Sequence, residues 1–186
     1  LSAMIIRPSV VVGDSKTGET DKFDGPYFGM RFIHKLRWVP TGLPFVGSSE
    51  AEVNLVPVDY LVDATVALAR KKEALGRTFQ LADPNPILAK NIYDQMCRLI
   101  TGKPPLGLSL PPALVEGFLT GPIGKWLGVP RQILVYFNHK AKYDSRNTQS
   151  LLNGDGVRCP NLRDYLPFLY RYWQAHKDEP GRQAKA

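Results

Sequence analysis

The sequence is poor in the side chains that bind metal ions and form disulfide frameworks. It contains two cysteines and three histidines among 186 residues. The cysteines form no CxxC pair, and no pair of carboxylates stands at ligand spacing beside any histidine; these residues are Cys97, Cys159, His34, His139 and His176. The sequence therefore predicts no metal site. It also predicts two reduced thiols, with a disulfide as the alternative.

Long apolar runs and dense clusters of positive charge are also missing. No stretch approaches the roughly 18 to 20 apolar residues of a membrane span, and the first residues do not form a secretory signal. The 24 Lys and Arg outnumber the 17 Asp and Glu and give a net charge of +7, but they are scattered. Solvated surfaces, a phosphorylated cofactor or a coenzyme-A-like thioester explain such an excess better than nucleic acid does. We predict a cytoplasmic protein with no membrane span and no nucleic-acid partner.

Several motifs that carry catalysis are absent or incomplete. There is no Gly-x-Ser-x-Gly turn for a hydrolase. The pair Gly154 and Gly156 lacks the third glycine of a phosphate-binding loop, so a turn is predicted there. Tyr136 and Lys140 have the spacing of a tyrosine that acts as a general acid and base, but this spacing recurs by chance. Aromatic packing beside a solvated lysine is the preferred interpretation, and no catalytic residue is predicted in this chain.

An apolar segment stands at the start of the chain. Met4–Val12 is interrupted only by Arg7, Pro8 and Ser9. This pattern is typical of a strand buried on both faces, as in the core of a parallel α/β sheet. Such a strand needs neighbours on both sides, so we expect the chain to be the tail of a longer protein. Residues 13–29 follow, rich in glycine and polar side chains, and their length favours a functional loop.

The middle of the chain alternates between strand patterns and helix patterns. Strands are predicted over 52–58 and 77–82, and helices over 30–38, over 59–72 and from the end of 83–86 to about 100. Asp59 is the predicted N-cap of the second of these helices, and Val62, Val66 and Leu68-Ala69 are its predicted apolar stripe. Residues 83–86 are expected to close a strand and cap the third helix. The alternation predicts an α/β arrangement.

The composition changes after Lys103, where Pro and Gly interrupt pieces rich in Leu and Phe. Short helices joined by tight turns are predicted there, followed by a final amphipathic helix over 161–176. We therefore divide the chain into an α/β part, 1–102, and a mostly helical part, 103–186. Residues 104–137 are expected to form a lid over a substrate or, alternatively, a helical subdomain that buries only its own core.

Three segments together resemble the C-terminal half of the extended short-chain dehydrogenase/reductases. They are IRPSVVVGDSKTG over 6–18, NLVPVDYLVDA over 54–64 and GRTFQLADP over 76–84. The closest branch contains thioester reductases, fatty-acyl reductases and steroid dehydrogenases, which a weaker match over 147–166 supports. The resemblance implies the C-terminal part of a Rossmann-type doubly wound sheet with an appended, mostly helical substrate-binding subdomain. It also implies that the glycine-rich phosphate loop and the Ser/Tyr-x-x-x-Lys catalytic set precede the first strand of this chain.

The resemblance assigns cofactor contacts to the end of the first strand. Pro8, Ser9 and Val10 match a segment whose backbone lies against the nicotinamide ring in that family. Proline suits such a position because it removes an N–H group and fixes φ where the chain leaves the sheet. An ordinary strand-end proline is the alternative for Pro8.

The resemblance assigns substrate contacts to the following loop. Val12, Gly13, Asp14 and Ser15 match the loop that opens the substrate pocket, and ligands of open α/β sheets bind outside the carboxyl ends of the strands. Asp59 matches an aspartate that caps a helix and is therefore assigned a structural role.

The resulting hypothesis is the substrate-binding C-terminal part of an NAD(P)-dependent oxidoreductase. The full-length parent would use NADP or NAD on the carbonyl, alcohol or thioester of an apolar substrate, either a small molecule or a carrier-bound group. This chain alone is expected to be inactive. A nucleotide-sugar epimerase or dehydratase on the same scaffold, and a non-catalytic binding module, are the alternatives. The sequence leaves a homo-oligomer open and does not select between the two nucleotides.

Overall fold

The computed structural model of the chain describes residues 3–39, 43–46, 51–110 and 142–182. Its strands in these ranges are β1 (Ile5–Pro8), β2 (Val10–Val12), β3 (Pro44–Val46), β4 (Glu52–Val53), β5 (Leu55–Pro57), β6 (Thr78–Leu81), β7 (Ile87–Leu88) and β8 (Leu106–Leu110). Its α-helices are α1 (Pro26–Lys35), α2 (Val58–Ala69), α3 (Ala89–Thr101), α4 (Arg146–Leu152) and α5 (Leu162–His176). Three strand pairs, β1–β6, β2–β5 and β3–β8, are parallel, and β4–β7 is antiparallel. This arrangement confirms the predicted α/β class.

The chain divides into two compact units. The first comprises Leu1–Thr20, Asn54–Pro86 and Lys142–Tyr172, and the second comprises Asp21–Val53, Ile87–Ala141 and Trp173–Ala186. Both units therefore draw on segments that are distant in the sequence. The predicted division into 1–102 and 103–186 stays a prediction.

The core of the first unit lies between α2 and the strands β5 and β6. On α2 the buried residues are Tyr60, Ala64 and Leu68, which recur every four positions and so share one face of the helix. They pack with Val56, Phe79 and Leu81 of the strands, with Ala74 and with Leu152 of α4. A small side chain at the centre of this helical stripe allows α2 to lie close to the strands.

The predicted stripe of α2 is wrong in part. Val62 is 54% exposed and Val66 is 44% exposed, whereas Leu68 is buried as predicted. The helix is apolar on more than one side, so two stripes satisfy the same spacing. The structure buries the stripe that carries the aromatic ring of Tyr60, which gives the larger apolar contact area.

The first strand is only partly buried. Ile5 is 50% exposed and Met4 and Ile6 are half-buried, whereas Val12 at the end of β2 belongs to the core. Among the described residues, β1 pairs along one edge only, with β6. A strand paired on one side leaves part of its apolar surface in contact with solvent.

The later part of the first unit is hydrogen-bonded to β5 and β6 through α4 and α5. Thr148 of α4 is fully buried and its Oγ1 donates a hydrogen bond to the Gln80 carbonyl at 2.8 Å. Tyr165 of α5 is buried, and its hydroxyl donates to the Leu55 carbonyl at 3.3 Å. The final helix was predicted within a residue of its observed bounds, and α4 is a short helix in the region where short helices were predicted.

The second unit is built on contact between α1 and α3. Met30 and Ile33 of α1 are buried, as are Ile92 and Met96 of α3. Gly29 belongs to this contact, because a Cβ there would stand 3.7 Å from the Met96 sulfur. This is an ordinary van der Waals distance, so the contact with α3 would accommodate a Cβ at this position. The strand pairs β3–β8 and β4–β7 complete the described part of this unit.

Several sequence predictions are corrected in this unit. The first helix begins at Pro26, within the predicted loop 13–29, and ends at Lys35. The helix expected after the cap at 83–86 begins at Ala89, and it ends as predicted at Gly102, which adopts φ of 71°. Residues Leu106–Leu110 form a strand where a short helix was expected. Tyr136 and Lys140, and nearly all of the proposed lid 104–137, lie outside the described residues.

Both cysteines are free thiols, as predicted. No helix in the described ranges has the length and apolar character that crossing a membrane requires.

Candidate functional site

The predicted cofactor residues lie where one extended segment changes its strand partner. Through Pro8 the segment pairs with β6, and the Ser9 N–H donates to the Leu81 carbonyl at 3.0 Å. From Val10 onward it pairs with β5, beginning with the Val10 N–H to the Asn54 carbonyl at 3.3 Å. The switch occurs at Ser9, between two short parallel ladders.

The three predicted cofactor residues differ in what they offer to a ligand. Pro8 is exposed and has no N–H, whereas the N–H groups of Ser9 and Val10 are already used in the ladders. The Ser9 hydroxyl oxygen is buried and has no hydrogen-bond partner among the described residues. A buried polar atom without a partner requires an explanation.

The predicted substrate loop is held by its own aspartate. Asp14 Oδ1 accepts hydrogen bonds from the N–H groups of Lys16 and Thr17, at 2.8 and 2.9 Å, and from the Thr17 hydroxyl at 3.1 Å. Its carbonyl accepts from Gly18 N–H at 2.8 Å, and its own N–H donates to Glu19 at 3.0 Å. Burial raises the pKa of Asp14, but these donors outweigh it and hold the pKa below its usual value.

Two glycines are required by the close packing of this loop. A Cβ on Gly13 would lie 2.8 Å from the Gly18 carbonyl carbon and 2.9 Å from the Glu19 oxygen. Gly18 has φ of +77°, and a Cβ there would lie 2.6 Å from the Phe168 carbonyl carbon and 2.9 Å from Tyr172 Cβ. The loop is therefore compact and lies directly against α5.

Asp59 has a role other than the predicted one. Pro57 occupies the N-cap position of α2, and Asp59 lies in the first turn. The Asp59 carboxylate instead accepts two hydrogen bonds from Ser15, from its N–H at 3.0 Å and from its hydroxyl at 2.6 Å. The prediction of an N-cap is wrong, because the N-cap lies two residues earlier, at Pro57, and the helix starts at Val58.

Asn54 is a polar residue whose role the sequence interpretation missed. It is 5% exposed, and its side chain forms two hydrogen bonds of 2.8 Å with the backbone of Asp83, donating to the carbonyl and accepting from the N–H. The amide thus extends the pairing beyond the end of β6. An asparagine directly before the apolar run of β5 was the available signal.

Burial raises the pKa of three groups in the first unit. Burial raises the pKa of Tyr60 to about 12, and Cys159 and Asp83 add to the shift. Burial, with help from Asp83 and Asp59, raises the pKa of Cys159 to about 12. Burial also raises the pKa of Asp83, although the Asn85 N–H opposes this. Cys159 is therefore a poor nucleophile at neutral pH.

A separate surface cavity of about 510 Å³ lies in the first unit. It has apolar walls, including Val66 and Val157, and a charged rim that includes Arg70 and the ion pair between Lys71 and Asp155, 2.8 Å long. None of the predicted site residues lines this cavity. Within the described part of the chain, no group of three or more His, Cys, Asp or Glu residues could hold a metal ion.

One protein-family model matches the part of the sequence that contains these residues. The model of the NAD-binding family described as male sterility protein matches residues 1–65, which include all the predicted site residues. No curated protein matches the sequence.

Solved structures match nearly the whole chain. The terminal R domain of the myxalamid PKS-NRPS pathway has a TM-score of 0.74 and 24% identity over 99% of this chain and 46% of its own length. UDP-glucuronic acid 4-epimerase from Bacillus cereus, in complex with NAD, has a TM-score of 0.53 and 19% identity over 92% of this chain and 44% of its own. RMD from Pseudomonas aeruginosa, complexed with NADPH, has a TM-score of 0.55 and 10% identity over 91% of this chain and 47% of its own length.

These matches confirm the predicted resemblance to the extended short-chain dehydrogenase/reductases and the predicted Rossmann-type fold. The chain spans about half the length of the structures that it matches. The prediction of NADP or NAD agrees with the NAD-binding family and with the nucleotides bound in two of these structures.

Proposed function

We propose that the chain is the substrate-binding C-terminal part of an NAD(P)-dependent oxidoreductase that acts on a carbonyl, alcohol or thioester of an apolar substrate. The observation that carries the proposal is the continuity of three features in one segment. The ladder switch at Ser9 leads through β2 into the compact loop 13–19, all within the range that matches an NAD-binding family. Cofactor contact and substrate contact would thus be adjacent along the chain.

The residues of the switch fit a nicotinamide nucleotide in two respects. Pro8 presents an exposed surface with no N–H, and the Ser9 hydroxyl, although covered, has no partner among the described residues. Pro8, Ser9 and Val10 are the proposed cofactor contacts. The nicotinamide itself supplies the hydride chemistry, and the protein binds and orients it.

Val12, Gly13, Asp14 and Ser15 are the proposed substrate contacts. Val12 and Gly13 are buried and hold the loop to the core, whereas Asp14 and Ser15 are half-buried. The hypothesis of a reductase is supported by the terminal R domain of the myxalamid pathway, which aligns with 99% of this chain. A carrier-bound substrate, a homo-oligomer and a cytoplasmic location remain predictions.

A nucleotide-sugar epimerase or dehydratase is the second candidate. It takes support from the NAD-bound epimerase, which shares the fold at a TM-score of 0.53. The higher TM-score and identity of the R domain favour the reductase. A non-catalytic binding module is the third candidate.

The test uses the longer protein that carries this chain. Purified protein is assayed for oxidation of NADPH and NADH with an acyl thioester or an aldehyde, and separately for conversion of a nucleotide sugar to its isomer or dehydration product. Turnover with the thioester or aldehyde supports the proposal, and conversion of the nucleotide sugar supports the epimerase. Absence of nucleotide binding in the longer protein would overturn both. The 186-residue chain alone is expected to show no turnover.

A charge substitution tests the cofactor contact. Pro8→Glu in the longer protein places a carboxylate at the proposed nucleotide surface and should weaken nucleotide binding about tenfold or more. Leu75→Glu is the matched control, because Leu75 is an exposed apolar residue of the same unit outside the proposed site. Equal affinities of the two variants would contradict the assignment of Pro8.

A further inference from the structure

The substrate loop is attached to α2 through one carboxylate. Asp59 and Ser15 are 44 positions apart, yet Asp59 Oδ1 accepts from the Ser15 N–H at 3.0 Å and Oδ2 accepts from the Ser15 hydroxyl at 2.6 Å. Hydrogen bonds to an ionised acceptor are roughly twice as strong as neutral ones. Both oxygens of one side chain are therefore committed to a single loop residue.

The remainder of the loop has its own internal hydrogen bonds. Asp14 gathers the N–H groups of Lys16 and Thr17, and its backbone pairs with Gly18 and Glu19. These bonds fix the shape of the loop, but they do not fix its position. The bonds from Ser15 to Asp59 join this shape to α2.

The opposite end of the loop is limited by α5. Gly18 lies so close to Phe168 and Tyr172 that a Cβ there would overlap their backbone and Cβ atoms. The loop is thus confined between α5 at Gly18 and α2 at Ser15. Such a segment has a fixed position and differs from a lid, which must open and close.

From this geometry we propose that Asp59 is a positioning residue that fixes loop 13–19 as a rigid wall of the substrate pocket. The inference rests on the proposed function for the identity of the pocket, but the clamp itself is a property of this chain. Loss of the clamp would let the wall move and would weaken substrate binding. It would leave the cofactor contact at Pro8 in place.

Amide hydrogen exchange of the longer protein that carries this chain tests the clamp directly. Asp59→Ala should accelerate exchange of the Ser15 amide about 10- to 100-fold, because a charge-assisted hydrogen bond is lost. Asp59→Asn retains an oxygen acceptor for the Ser15 N–H and should restore most of the protection. Asp63→Ala is the matched control, because it removes an exposed carboxylate one turn further along α2. Unchanged exchange in Asp59→Ala would overturn the clamp.

Steady-state kinetics of the longer protein tests the role in substrate binding. Asp59→Ala should raise the KM of the substrate about tenfold while kcat changes less than about threefold, and nucleotide affinity should not change. Asp59→Asn should recover most of the KM. An unaltered KM with faster exchange would overturn the positioning role. If Asp59→Ala does not fold, Ser15→Ala removes only the 2.6 Å bond and should show the same pattern at smaller amplitude.

The two proposals fail separately. A longer protein without nicotinamide-dependent activity overturns the proposed function and the substrate role of the wall, and the exchange rates still decide whether Asp59 holds the loop. If the enzyme is active and Asp59→Ala does not change the KM of the substrate, the positioning role is overturned and the proposed function is unaffected.

Discussion

Gly18→Ala should destabilise the first unit through two separable effects. The backbone at Gly18 has φ of +77°, which costs a residue with a Cβ about 1–2 kcal/mol. The new methyl group would also lie 2.6 Å from the Phe168 carbonyl carbon and 2.9 Å from Tyr172 Cβ, against atoms that cannot rotate away. Overpacking of this kind costs about 1–3 kcal/mol. The expected loss is therefore about 2–5 kcal/mol.

Two other glycines separate these effects. Gly76 has φ of +75° with open space around it, so Gly76→Ala should show the conformational cost alone. Gly13 has no positive φ, yet a Cβ would lie 2.8 Å from the Gly18 carbonyl carbon, so Gly13→Ala should show the steric cost alone. The loss in Gly18→Ala should approach the sum of the other two.

The assay is urea unfolding followed by circular dichroism, with the free energy of unfolding extrapolated to water. A typical domain is stable by about 5–15 kcal/mol, so the variant should remain measurable in most of that range. If Gly18→Ala loses no more than Gly76→Ala, the close approach of the loop to α5 is refuted. If Gly18→Ala is insoluble, the urea midpoints of Gly13→Ala and Gly76→Ala still test the steric cost and the conformational cost separately.

Three further predictions concern buried polar groups. Asn54→Ala should lower the free energy of unfolding by about 2–4 kcal/mol in urea titrations, because two buried backbone groups of Asp83 lose their partners. Burial raises the pKa of Asp83 in the folded chain. The contribution of this carboxyl group to stability is therefore full below its pKa in the unfolded chain, and it is lost as the pH rises through its pKa in the folded chain. Asp83→Asn should accordingly be more stable than the wild type between about pH 4 and 7 in urea titrations. Burial raises the pKa of Cys97 to about 11 and that of Cys159 to about 12, so alkylation of the folded chain at mildly alkaline pH should be about 100-fold slower than in urea, and equal rates would contradict this.

The alternation of strands and helices could be predicted from the sequence because local patterns encode it. The final helix was placed within a residue of Leu162–His176, and Gly102 was identified correctly as the end of α3. In both cases the signal lies in adjacent residues, a stripe of large apolar side chains or a glycine that adopts a left-handed conformation.

The errors arose where long-range contacts decide. Val62 and Val66 have the right spacing for a buried stripe, but the neighbouring face with Tyr60 is the one that β5 and β6 cover.

In the candidate site, too, local contacts could be predicted from the sequence and long-range contacts could not. Asp14 as an organiser of its loop follows from a short-range pattern, whereas the bond between Ser15 and Asp59 joins residues 44 positions apart. Asn54 is similar, because its partner Asp83 is reached only once β5 and β6 are in place. Polar residues at the ends of apolar runs are a usable signal for such contacts, although they do not identify the partner.

The change of partner at Ser9 constrains how this region can evolve. One continuous segment serves two ladders, so an inserted or deleted residue between Ile5 and Val12 would shift one register against the other and turn inward side chains outward. Relatives that keep both ladders should therefore have the same number of residues across this segment. Differences in length among them should accumulate beyond residue 19, where the chain has left both ladders.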